Sequence, residues 1–93
     1  HSLGRALALY CLDQPGARNG IERRLTALLN AHPDDVPEHL RHLVQRLAQV
    51  RQPIHWPTLL DDLLQWRRTH RPVQRRWARD FWGIPQAADK ETT

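Results

Sequence analysis

Apolar residues recur along this chain at intervals of three and four, and almost nowhere at intervals of two. Leu3, Ala6, Leu7, Tyr10 and Cys11 form one stripe, so a first helix is expected over residues 2–12, with Ser2 as its cap. The following stretch, Asp13 to Gly20, carries Pro-Gly and Asn-Gly pairs and is expected to break the helix in a turn. Ile21, Leu25, Leu28 and Leu29 give a second helix ending near Ala31-His32-Pro33. Asp35 and Glu38 stand in a capping-box-like spacing, and Pro37 suits a first turn. A third helix therefore carries Leu40, Leu43, Val44, Leu47 and Val50 on one side and stops before Pro53. Thr58 and Asp61 repeat the capping spacing after Trp56-Pro57, placing the start of a fourth helix there. That helix is expected to bury Leu59, Leu60, Leu63 and Leu64 and to run to Arg68. Pro72 opens a fifth, with Val73, Trp77 and Phe81 inward and an end at Gly83-Ile84-Pro85. The expected fold is all-α, a compact bundle of about five short helices. Residues 2–85 form its helical domain, and residues 86–93 are a polar tail expected to be mobile.

Composition adds a bias toward anions. The length of 93 residues suits one domain, and 40% hydrophobic with 26% charged residues lies in the globular range rather than the disordered one. The formal charge is +4, and thirteen of the fourteen basic residues are arginine. The planar arginine fork matches phosphate better than a lysine ammonium does, so the expected partner is a polyanion, with nucleic acid first. One cysteine, Cys11, excludes an internal disulfide and suits a reducing compartment. No apolar run approaches the roughly 18 residues of a membrane span, and no secretory leader is visible. A cytoplasmic, membrane-free protein is the expectation.

Candidate chemistry narrows the picture mainly by elimination. His39 and His42 could share a helical face, with Cys11 as a third group, but a closed zinc site needs four ligands and no second pair exists. Solvated histidines are the expected reading, with no metal and no cofactor. Asp34-Asp35 and Asp61-Asp62 are paired carboxylates at expected helix starts, where capping and the helix dipole favour them without any catalysis. Gly16 and Gly20 lack the strand-to-helix context of a phosphate loop. No enzyme is expected.

The positive signal lies between Trp56 and Trp82, which holds all four tryptophans and six arginines: Arg67, Arg68, Arg71, Arg75, Arg76 and Arg79. With Val73 at zero on a helical wheel, Trp77 and Phe81 fall at about 40° and 80°, whereas Arg71, Arg75, Arg79 and Arg76 fall at about 160°, 200°, 240° and 300°. The last helix thus has an aromatic face and an arginine face, to which Arg67 and Arg68 add from the preceding helix. Arginines at a helix end are also favoured by its dipole, so a merely solvated face competes with this reading. The tryptophans are read chiefly as core, with Trp82 the one suited to exposed stacking or docking.

The order of several short blocks carries a resemblance. Ser2-Leu-Gly-Arg-Ala-Leu-Ala8, Ile21-Glu-Arg-Arg-Leu25 with Leu28-Leu29, Leu40-Arg41 with Arg46-Leu47, Trp56-Pro57 with Leu63-Leu64 and Trp66, and Asp80-Phe81 follow one another at family spacing. In that order they resemble the C-terminal half of CasB, the small subunit of the type I-E CRISPR Cascade complex. The resemblance implies a helical, non-catalytic subunit, present as two copies beside other Cascade subunits. It also implies basic surfaces that hold DNA and guide RNA backbone and stabilise the R-loop. It places backbone contacts at Arg67 and Arg68, with Arg71 nearby, and adds Arg23, Arg24 and Arg46 from the two earlier helices. The family's N-terminal helical half has no counterpart here, so the chain is expected to be a domain or fragment. The Asp13–Gly20 connection and the stretch before Trp56 also look longer than in the family. The alternative is a protein-docking bundle whose basic face meets an acidic partner.

Overall fold

The computed structural model describes residues 2–83, which carry five α-helices, two short 3-10 turns and no strand. The expectations for Ile84, Pro85 and the tail at 86–93 lie outside the described residues. The first helix, α1, spans Leu3–Asp13. Its cap is Ser2, whose hydroxyl oxygen accepts the Arg5 amide at 3.2 Å and whose hydroxyl donates to Asp80 Oδ2 at 2.6 Å. One small side chain thus closes the first turn and ties it to the last helix. Leu3, Ala6, Leu7, Ala8, Tyr10 and Cys11 are all buried, so α1 runs through the interior rather than over it.

The Pro-Gly pair forms a 3-10 turn, Pro15–Ala17, but the Asn-Gly pair does not turn the chain. The second helix, α2, begins at Arg18 and reaches Leu29, taking Asn19 and Gly20 into its first turn. An Arg18–Glu22 ion pair at 2.7 Å supports that early start, and the Arg18 guanidinium lies 4.9 Å from the centre of the Phe81 ring. A second 3-10 turn, Pro33–Asp35, leads into α3, Val36–Gln49. His32 caps this turn through Nδ1, and Asp35 makes no side-chain cap, so the expected capping box is replaced by the turn. The apolar stripe of α3 (Val36, Leu43 and Leu47, with Leu40 partly covered) packs mainly against α2.

The fourth helix, α4, spans Trp56–Leu64, starting two positions before Thr58. His55 caps it, Nδ1 accepting the Thr58 amide at 3.3 Å. It ends four residues before Arg68, and the chain continues through i→i−3 turns from Gln65 to Arg68. The expected burial of four leucines is corrected. Leu59 is buried and Leu63 partly so, whereas Leu60 and Leu64 are 59% and 85% exposed. The four leucines span about 140° of the helical wheel, and the arc turned inward is centred on Leu59, with Asp62 taking one edge of it.

The fifth helix, α5, spans Pro72–Trp82 and packs chiefly on α1. Val73, Trp77 and Phe81 are buried, as the pattern expected. The Trp77 backbone crosses α1 at Gly4, where any Cβ would overlap the Trp77 carbonyl oxygen. Trp66, in the turns after α4, meets Trp77 edge to face at 5.1 Å between centroids and completes the core beside the crossing.

Candidate nucleic-acid interface

The carboxylate pairs define what the basic residues are free to do. Asp62 is buried, accepting the Trp77 indole N–H at Oδ2 (2.8 Å) and the Arg76 guanidinium at Oδ1. It does not cap a helix start, as its position near Trp56-Pro57 suggested; it is the polar clasp between α4 and α5. Arg76 is thereby turned toward α4 and partly covered, away from the open arginine face that the wheel gave it. Asp61 stays exposed and accepts a hydrogen bond from Gln65 at 2.9 Å. Asp34 lies 3.7 Å from Arg67 across the surface, a weak exposed pair.

No group of three or more His, Cys, Asp or Glu side chains among the described residues is placed to hold a metal ion. Cys11 lies in the core, where burial pushes its thiol above the ordinary value. The nearby Arg18 charge opposes that shift and Glu22 adds to it. His39 and His42 lie on the outer part of α3, facing α2. No helix of the described residues is long and apolar enough to cross a membrane.

The remaining arginines are distributed over two regions. On one side, Arg67 and Arg68 follow α4. Arg68 donates to Gln65 Oε1 at 3.0 Å, and Arg67 borders an apolar groove with Leu63 and Leu64. On the other side, α5 presents Arg71, Arg75, Ala78 and Trp82 at successive three- and four-residue steps along a cleft whose opposite wall is the end of α2. Arg71 is not a free phosphate ligand here: its guanidinium donates to the Leu29 carbonyl, one of the carbonyls that the end of α2 leaves without an intrahelical partner. The backbone at this corner is unusual. His70 and Arg71 both sit at positive φ, 68° and 53°, with no glycine to signal it. Arg79 is exposed, 4.0 Å from Asp80.

Read from the residues alone, the site was centred on α5; Arg23 and Arg24 on α2, and Arg46 on α3, entered only through the family resemblance. Thr26 borders both the α5 cleft and the outer face of α2 around Arg23, and Arg23 and Ala27 border the next depression, between α2 and α3. Arg24 and His42 join that depression to Arg46, which is partly covered and whose Nε has no hydrogen-bond partner. Arg75, Arg23, Arg24 and Arg46 therefore border adjoining depressions with α2 along their middle, whereas Arg67 borders the groove beside Leu63 and Leu64 and Arg76 is turned to Asp62. The signal available in the sequence was the exposed face of α2, on which Arg23, Thr26 and Ala27 alternate with the buried Leu25 and Leu28.

Comparison with known proteins agrees with this architecture. Residues 1–82 match the family model described as CRISPR-associated protein Cse2. The Thermus thermophilus CRISPR-associated protein Cse2 is 40% identical over 91 residues, which cover 98% of this chain and 52% of that protein. The crystal structure of M. ruber CasB superposes with a TM-score of 0.78 at 40% identity, over 98% of this chain and 50% of that one. The chain thus spans about half the length of the relatives it matches. A family match over residues 1–82 and 40% identity to both relatives give one conclusion: the chain is a member of the CRISPR-associated Cse2 family, also called CasB.

Proposed function

We propose that this domain is a non-catalytic, nucleic-acid-holding element of a type I-E Cascade complex. It grips backbone phosphates of opened target DNA or of the guide RNA and so disfavours closure of the R-loop. The observation that carries the reading is the set of adjoining depressions across α2 that Arg75, Arg23, Arg24 and Arg46 border. Guanidinium groups spaced along one surface suit a chain of phosphates, which they hold without reading sequence; the guide RNA would read the sequence by base pairing. The exposed Arg67, Arg68 and Arg79 would add to the field around that track, and Arg71 and Arg76 would act mainly by fixing the helices that border it. The partners under this reading are nucleic-acid backbone, other Cascade subunits and a second copy of the protein, in the cytoplasm.

Titration of single- and double-stranded DNA over a salt series tests the reading. Micromolar binding that weakens steeply with salt is expected. Absence of binding at low salt, even at high protein concentration, would overturn the reading for the isolated domain.

A further inference from the structure

The cleft between α2 and α5 differs in kind from the rest of the basic surface. It is an open depression of about 400 Å³, and Leu29 and Ala78 contribute apolar side chains to its lining. Trp82 borders it, 40% exposed, with its ring held edge to face against Phe81 at 4.9 Å and an interplanar angle of 85°. Arg75 stands two helical turns before Trp82 on the same side of α5, and Asn30 faces it from α2. A phosphate track needs neither an apolar lining nor an indole.

Gln74 borders the same cleft but is only 6% exposed. Its amide nitrogen donates to the Trp66 carbonyl at 2.8 Å and so ties α5 to the turns after α4 beneath the cleft. Trp82 and Arg75 are both exposed beside it, and every nucleobase has a flat π-face for an indole.

We propose that this cleft receives one unstacked nucleobase of a single strand, with Trp82 as its stacking platform and Arg75 on the adjoining phosphate. The inference rests on the nucleic-acid reading above and deepens it. It gives the domain a preference for unpaired over paired strands that charge alone does not supply, since bases inside a duplex offer no free face. Sequence tolerance survives, because all bases stack.

The test compares an oligothymidylate with a fully abasic deoxyribose-phosphate strand of equal length and charge, both titrated against the 93-residue chain by fluorescence anisotropy. The base-bearing strand is expected to bind about tenfold more tightly, within the range measured for one base on an aromatic platform. Trp82→Ala should remove that preference while leaving abasic affinity and its salt slope unchanged, and Trp82→Phe should retain most of it. If the alanine variant loses helical circular dichroism, Trp82→Leu, which keeps apolar bulk against Phe81 without a π-face, replaces it. Equal affinity for the two strands in the unmodified chain, or a preference that persists in the alanine or leucine variant, overturns the base cleft and leaves the phosphate track standing. Failure of both strands to bind overturns both.

Discussion

Single residues in this domain act through what they pack against. Trp77 is fully buried, with its indole N–H on Asp62 and its backbone against Gly4. Trp77→Ala should destabilise by about 3–5 kcal/mol in chemical denaturation. Gly4→Ala, adding one methyl group where α1 and α5 touch, should cost about 1–3 kcal/mol through separation of the helices. Cys11 offers a test by pH. Its folded thiol titrates above the ordinary value of 9.0, chiefly because burial disfavours the thiolate. The stabilisation tied to that shift is complete below the unfolded value and is lost as pH rises through the folded one. Stability should therefore decline on the alkaline side of 9.0, and the decline should be shallower in Cys11→Ala. In the native state alkylation of Cys11 should be slow at neutral pH, becoming fast on unfolding. That Trp77 and Cys11 are core was legible from periodicity. That Gly4 marks a helix crossing was not, because a glycine inside a helical pattern does not say what approaches it.

At the scale of elements, two polar ties act beside the Ser2–Asp80 bond to hold the helices in place, and neither was visible as a motif. The Asp62 clasp joins α4 to the Trp77–Arg76 face of α5, and Arg71 joins the start of α5 to the end of α2. Asp62→Ala would leave a buried indole donor unpaired, a loss of about 1–3 kcal/mol. Arg71→Ala should reduce stability by about 1–3 kcal/mol, since a charged donor leaves the Leu29 carbonyl. Arg23→Ala with Arg24→Ala should do the opposite: both side chains are exposed, so the melting temperature should hold while DNA affinity falls. Thermal melts and titrations of the same proteins separate the two kinds of arginine. From sequence they were indistinguishable, because an arginine's partner many positions away leaves no trace in local spacing. The positive φ at His70 and Arg71 was equally silent, there being no glycine or asparagine to announce it.

For the whole molecule, a net charge of +4 on 93 residues favours association with polyanions, and under the nucleic-acid proposal the distribution of that charge sets the binding mode. If about four phosphates are engaged on a single strand, the logarithm of affinity should fall against the logarithm of salt with a slope of about −3. The double alanine change on α2 should make that slope shallower by about 1–2, whereas Arg76→Ala, whose guanidinium is already neutralised by Asp62, should leave it nearly unchanged. The sequence by itself determined the helices, most of their inward residues, the basic character and the family blocks. Periodicity, capping residues and charge are local properties, and local properties survive in one dimension. Tertiary structure alone decided that α2 lies between Arg75 of α5 and Arg46 of α3, and that Asp62 and the Leu29 carbonyl each engage an arginine guanidinium. It also set Trp82 and Gln74 around one cleft. Each of these depends on which helix faces which, and that is fixed by packing of the whole core rather than by any one stretch of chain.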